Sequence, residues 1–224
     1  MGDLVIYGSL GGSTDTGYVW VIFSTLVDDN TGTGNNKPLS TAGNYNIRYN
    51  GAAASGYLSN AGNVVIGDVN GDSLGDLIMG APNEDAGVAD SGSVYVVYST
   101  LIDNVGTTTG NNLDLAIGGN YNIRYDGAAG SDFLSNNTTR GGLAVGDVNS
   151  DGLGDLVVGA YSADNNSRAG SGSAYVMFST LIDDNTTTGN NLGLATSTNY
   201  NIRYDGQVAG DNLTTNRNIA IGDV

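Results

Sequence analysis

Apolar residues in this chain fall into short runs, separated by stretches rich in Gly, Asn, Asp, Ser and Thr. In one run Tyr45, Ile47 and Tyr49 alternate with Asn46, Arg48 and Asn50. A period of two is that of a strand with one buried and one wet face. The run Asp76-Leu77-Ile78-Met79-Gly80 is instead continuously apolar, which predicts a strand buried on both faces. Val94 to Tyr98 is β-branched and aromatic, and the block ending Ile66-Gly67-Asp68-Val69 forms a further short apolar strand. No long segment carries a helical period. The pattern predicts an all-β chain of short strands and tight turns.

These runs recur. Asn44 to Tyr49 returns as Asn120 to Tyr125 and as Asn199 to Tyr204; Gly92 to Tyr98 returns as Gly172 to Phe178 and, more loosely, as Gly17 to Phe23. Val65 to Val69 returns as Ala144 to Val148 and as Ala220 to Val224. Tyr45 and Tyr121 are 76 residues apart, Tyr121 and Tyr200 are 79 apart. Each repeat reads as four strands, and four-strand units in tandem are the sequence form of β-propeller blades. A parallel β-helix would show more uniform rungs, and a sandwich no repeat. The blade-equivalents span about 1–66, 67–145 and 146–224 of the single repeat domain. The last block breaks off after Val224, and the first resumes it at Gly2-Asp3-Leu4-Val5, the counterpart of Gly75 to Ile78. The expectation is that the C-terminal strand completes an N-terminal blade. Three blades fall short of the roughly four to eight of known propellers, so a homodimer closing a six-bladed ring is expected.

Composition narrows the chemistry. The net charge is −16, and of 23 acidic residues only Glu84 is glutamate. Aspartate suits turns and hard-cation sites, whereas a general solvating surface would use both acids. So acidic a chain, with seven Lys and Arg, is not built to bind nucleic acid. Cys and His are absent, which removes disulfides, thiolate and imidazole metal ligands, and Ser-His or Cys-His nucleophiles. No apolar run reaches the length of a membrane span, and the N-terminal residues lack the pattern of a signal peptide.

The strongest chemical signal is Asp68-Val69-Asn70-Gly71-Asp72-Ser73-Leu74-Gly75-Asp76, repeated from Asp147 through Asn149, Asp151 and Leu153 to Asp155. Side-chain oxygens stand at positions 1, 3, 5 and 9, and position 7 offers its carbonyl. Calcium takes about six to eight hard oxygens in flexible geometry, which such a curled loop supplies. The carboxylates would repel one another without a cation, and a divalent ion reverses that sign. An EF-hand would need a Glu at position 12, where this chain has Met79 or Val158 inside a strand. A third loop is broken: Asp223 keeps position 1 and Asp3 position 9, while positions 3 and 5 are missing, so weak or no calcium is expected there.

An apolar strand, D-x-N-x-D-x-x-x-D, a second apolar strand and Gly80-Ala81-Pro82 resemble the FG-GAP repeats of integrin α-subunit propellers and related bacterial surface proteins. Gly159-Ala160-Tyr161 and Gly8-Ser9-Leu10 match less well, and the Phe-Gly half is reduced to Tyr57-Leu58, Phe133-Leu134 and Asn212-Leu213. The resemblance implies a propeller with calcium on one face of the ring, held by Asp68, Asn70, Asp72, the Leu74 carbonyl and Asp76. The same holds for Asp147, Asn149, Asp151, the Leu153 carbonyl and Asp155.

Other repeated features read more plainly. The segments starting at Thr25, Thr100 and Thr180 run into Asp28, Asp103 and Asp183, and are expected to be Asx-type turns into polar loops. Arg48, Arg124 and Arg203 are expected to pair with neighbouring aspartates, and Trp20 to serve packing. The expected function is a calcium-stabilised structural and adhesive module, secreted or at the cell surface, with a protein or glycan ligand. A lectin-like propeller is the alternative, and a polysaccharide-active enzyme is disfavoured. With one Glu and one Lys (Lys37), near-equivalent repeats leave no unique catalytic constellation.

Overall fold

A computed structural model describes residues 2–8, 14–28, 33–136, 142–183, 187–215 and 219–222. The strands in order are β1 (Leu4–Gly8), β2 (Tyr18–Ile22), β3 (Ile47–Asn50), β4 (Val64–Gly67), β5 (Asp76–Ala81), β6 (Ser93–Val97) and β7 (Asn111–Asp114). They continue as β8 (Ile123–Asp126), β9 (Leu143–Gly146), β10 (Asp155–Ala160), β11 (Ser173–Met177), β12 (Asn190–Gly193) and β13 (Ile202–Asp205). Three short helices follow β2, β6 and β11: α1 (Ser24–Asp28), α2 (Ser99–Asn104) and α3 (Ser179–Asp183).

The strands form three sheets, one per repeat, ordered β1-β2-β3-β7, β12-β8-β6-β5-β4 and β13-β11-β10-β9. Within a repeat the pairing is antiparallel, as in β4–β5–β6–β8. Each of the first two sheets gains an outer strand from the following repeat, β7 beside β3 and β12 beside β8, both parallel. The all-β expectation holds, with adjustments. The innermost strand ends at Gly67 and Gly146, which leaves Asp68-Val69 and Asp147-Val148 in the loop. The boundaries drawn at 66/67 and 145/146 fall inside β4 and β9. The segments at Thr25, Thr100 and Thr180 are short helices rather than Asx-type turns, and in the second and third Leu101, Ile102, Leu181 and Ile182 pack against the cores. Asp29, Asp184 and the residues just after them lie outside the described residues.

Sheets pack face to face, and the period of two divides each middle strand between two cores. Leu77, Met79, Tyr95 and Val97 join Val19, Val21, Ile47 and Tyr49 between the first and second sheets. Ile78, Val94 and Val96 join Leu156, Val158, Tyr175 and Met177 between the second and third. All six residues of β5 and of β10 are buried, as the continuous apolar run predicts. Close approach of neighbouring repeats explains two glycine pairs. A Cβ on Gly67 would sit 2.5 Å from Val145 of β9, and one on Gly146 would sit 2.9 Å from Ile221. A Cβ on Gly80 or Gly159 would run into the side chains of Ser135 and Thr214 respectively. In the first sheet the register places Gly8 opposite Tyr18, as Ala81 lies opposite Ser93. Tyr7, and not Gly8, therefore occupies the place of Gly80.

A candidate metal centre in two equivalent hairpin loops

The loop from Asp68 to Asp76 joins the innermost strand β4 to β5, and the loop from Asp147 to Asp155 joins β9 to β10. Each is curled by its own side chains. The Asp68 carboxylate accepts Gly71 N–H at 2.7 Å and Ser73 N–H at 2.8 Å, Asn70 Oδ1 accepts Asp72 N–H at 2.9 Å, and Asp72 Oδ1 accepts Leu74 N–H at 2.8 Å. The second loop repeats this. Asp147 accepts Asp151 N–H at 3.1 Å and Gly152 N–H at 2.9 Å, Asn149 accepts Asp151 N–H at 2.9 Å, and Asp151 accepts Leu153 N–H at 2.9 Å. Such bonds from Asp and Asn side chains to nearby N–H groups turn the chain tightly.

Position 9 behaves differently. Asp76 and Asp155 are fully buried at the start of β5 and β10. Asp76 accepts Val69 N–H at 3.0 Å and Ser99 N–H at 2.9 Å; Asp155 accepts Val148 N–H at 2.8 Å and Ser179 N–H at 3.0 Å. One carboxylate thus fastens the loop to the first residue of the following helix. Asp3 makes the same bond to Ser24 N–H at 2.8 Å. Ser99 also donates its hydroxyl to Asp72 at 3.1 Å, a contact that the spacing of the aspartates could not disclose. Burial lifts the Asp76 carboxyl to about 6; its two N–H donors pull against this, and repulsion from Asp72 and Asp68 adds to it.

The donors fit a hard divalent cation in type: three carboxylates and one amide per loop, with no nitrogen or sulfur ligand. Among the described residues, the Leu74 and Leu153 carbonyls accept no hydrogen bond. Their placement is more spread. Among the described residues no three acidic side chains stand close enough together to hold an ion as they lie. Asp68 and Asp72 spend their inward lone pairs on the loop's own N–H groups. Of the third, broken site, Asp3 is bonded to Ser24 and Asp223 lies outside the described residues.

The arginines stand on the outer antiparallel strands. Arg124 pairs with Asp126 at 2.7 Å and Arg203 with Asp205 at 2.9 Å, as expected. Arg48 instead bonds Asn50 at 2.8 Å and lies 4.8 Å over the Tyr18 ring. Trp20 packs edge-on against Tyr18, 5.4 Å between centroids. A buried group that the sequence did not single out is Glu84, which accepts the Tyr95 hydroxyl proton at 2.6 Å and stands 3.8 Å from Arg124. Burial raises its carboxyl above the usual range.

The hairpin loops and the strands that flank them coincide with the matches to a family model. The FG-GAP repeat model matches residues 60–97, from the turn before β4 to the end of β6, and again residues 140–177, ending with β11. The chain carries FG-GAP repeats. Its three sheets are accordingly propeller blades, and the two matched repeats are the ones with complete D-x-N-x-D-x-x-x-D loops. A search of curated proteins finds no match to the chain. No helix among the described residues is long and apolar enough to cross a membrane.

Proposed function

We propose that this FG-GAP chain is a calcium-stabilised propeller module that presents loops to a protein or glycan partner outside the cell, and that it performs no catalysis. The observation that supports the reading is the pair of all-oxygen loops at equivalent blade positions, each fastened by a buried aspartate to the helix that follows. FG-GAP repeats often bind calcium and occur in extracellular proteins, where the ion is abundant. In this reading Asp68, Asn70, Asp72, the Leu74 carbonyl and Asp76 hold one ion, and Asp147, Asn149, Asp151, the Leu153 carbonyl and Asp155 the other. The ion draws Asp68 and Asp72 toward Asp76 and cancels the repulsion among them. Because the folded loops bind and the unfolded chain largely does not, occupancy adds to stability.

The test is thermal unfolding with calcium, with EDTA, and with calcium restored. The reading expects EDTA to lower the melting temperature by several degrees and added calcium to restore it. Identical melting curves in all three conditions would contradict it.

A further inference from the structure

Neighbouring blades meet at two equivalent junctions, and each holds a buried acid that comes from a different side. At the first, Ser59 N–H donates to the Gly80 carbonyl at 2.7 Å and Asn83 N–H to the Gly56 carbonyl at 3.3 Å. These bonds set the turn around Gly56 of the first repeat on the loop after β5. At the second, Ser135 N–H donates to the Gly159 carbonyl at 2.7 Å, which sets the turn around Asp132 of the second repeat on the loop after β10. The two turns are built alike: Gly56 N–H donates to Ala53 at 3.2 Å, and Asp132 N–H to Ala129 at 3.4 Å. So are the two loops. Glu84 and Ala163 donate their N–H groups to Ala81 and Ala160, both at 3.2 Å, and accept those of Gly92 and Gly172 at 3.0 and 2.9 Å.

Gly56 thus corresponds to Asp132, and Glu84 to Ala163. A Cβ on Gly56 would lie 3.7 Å from the Glu84 Cβ, so the two positions share one space between the blades. The first junction fills that space with Glu84 from the later blade, and the second with Asp132 from the earlier one; both acids are 4% exposed. Their surroundings also correspond. The Tyr95 hydroxyl donates to Glu84 at 2.6 Å and Arg124 stands 3.8 Å from it. The counterparts Tyr175 and Arg203 lie within electrostatic reach of Asp132. Tyr95 packs edge-on against Tyr121 with 5.1 Å between centroids, and Tyr175 against Tyr200 with 5.2 Å.

We infer that this space admits one acid from either side, and that the pairing of Gly56 with Glu84 and of Asp132 with Ala163 matches each blade to its neighbour. A turn with Gly at position 56 fits a loop that brings an acid, and a turn with Asp at position 132 fits a loop without one. The mismatched combinations fail for opposite reasons. With Gly facing Ala, the buried tyrosine hydroxyl and the arginine lose an acceptor. With Asp facing Glu, two carboxylates crowd one buried space, where like charges cannot both stay ionised. Arg124 is already paired with Asp126 at 2.7 Å, and Glu84 Oε2 is buried with no hydrogen-bond partner among the described residues, so a further acid gains no compensation there. The first blade therefore accepts the second beside it and rejects the third, which fixes the order of the repeats.

The test is a cycle of thermal melts in EDTA, so that calcium plays no part, at pH 7 and pH 5. Glu84→Ala and Gly56→Asp each create one mismatch, and together they rebuild the arrangement of the second junction at the first. At pH 7 each single variant is expected to melt about 4–8 °C lower, and the double variant within about 3 °C of the unmodified chain. Gly56→Asp should lose less at pH 5, because the crowded acid pair takes up a proton as pH falls through its raised pKa. Gly56→Asn, of the same size without the charge, should show no such relief. Losses that add in the double variant, or a double variant that does not fold, would overturn the inference. So would a Gly56→Asp penalty that is unchanged between the two pH values or equalled by Gly56→Asn at pH 7, since strain alone would then account for it.

Discussion

Asp76 and Asp72 stand four residues apart in one loop, yet they answer to different forces. Asp76 is buried and accepts two backbone N–H groups, from Val69 and Ser99, which lose their partner if it is removed. Asp76→Ala should therefore cost about 1–3 kcal/mol even in EDTA, since buried unsatisfied donors cost on that order each and relief of the buried charge offsets part. Asp72 is exposed, so Asp72→Ala should cost less in EDTA, about 0.5–1 kcal/mol for the lost bonds from Leu74 N–H and the Ser99 hydroxyl, while abolishing most of the calcium response of its loop. Chemical denaturation of both variants in EDTA and in calcium separates the two roles. Asp132 offers a pH test away from the loops. Burial, helped by repulsion from Asp164, raises its carboxyl to about 6, against the pull of Ala129 N–H and Arg203. The charged form is thus penalised in the folded chain, fully so above pH 6, and the penalty fades as pH falls toward the ordinary carboxyl value. Asp132→Asn should accordingly stabilise the chain by about 1–2 kcal/mol at pH 7 and have little effect near pH 4, measured by urea unfolding at the two pH values. In the opposite direction, Tyr95→Phe removes the donor to buried Glu84 and should cost about 1–3 kcal/mol at pH 7.

Among the elements, strand β5 approaches the following repeat closely at Gly80, as β10 does at Gly159. A Cβ on Gly80 collides with the Ser135 side chain, so Gly80→Ala should destabilise by about 1–3 kcal/mol, and pairing it with Ser135→Gly should recover part of that loss in a thermal melt. The antiparallel strands were readable because their apolar positions follow either an alternating or a continuous pattern, as β3 and β5 do. The strands β7 and β12 were not. Asn111-Asn112-Leu113-Asp114 has no apolar face of its own, and it becomes a strand only because the edge of β3 offers unpaired backbone groups from the preceding repeat. The helices α1 to α3 escaped for a related reason: at five or six residues they are too short for a period, and a buried aspartate from another strand holds the first N–H. The loop aspartates were visible as a pattern, but their division into self-bonded residues and a buried fastener required the fold. Glu84 was visible only as a count, because nothing in its neighbourhood predicts Tyr95 above it.

For the whole molecule, the second blade buries both faces, one against the first blade and one against the third, so stability is distributed between sheet and sheet rather than collected in one centre. The two oxygen-lined loops sit at the inner ends of the second and third blades, where β4 and β9 turn into β5 and β10. Binding an ion there would tie the inner strand, the next strand and the following helix of a blade into one unit. The most direct measurement is calorimetric titration of the metal-free chain with calcium. Two ions per chain are expected, one lost in Asp72→Ala and the other in Asp151→Ala. Absence of binding at millimolar calcium, or binding that both variants leave at two ions, would contradict the account.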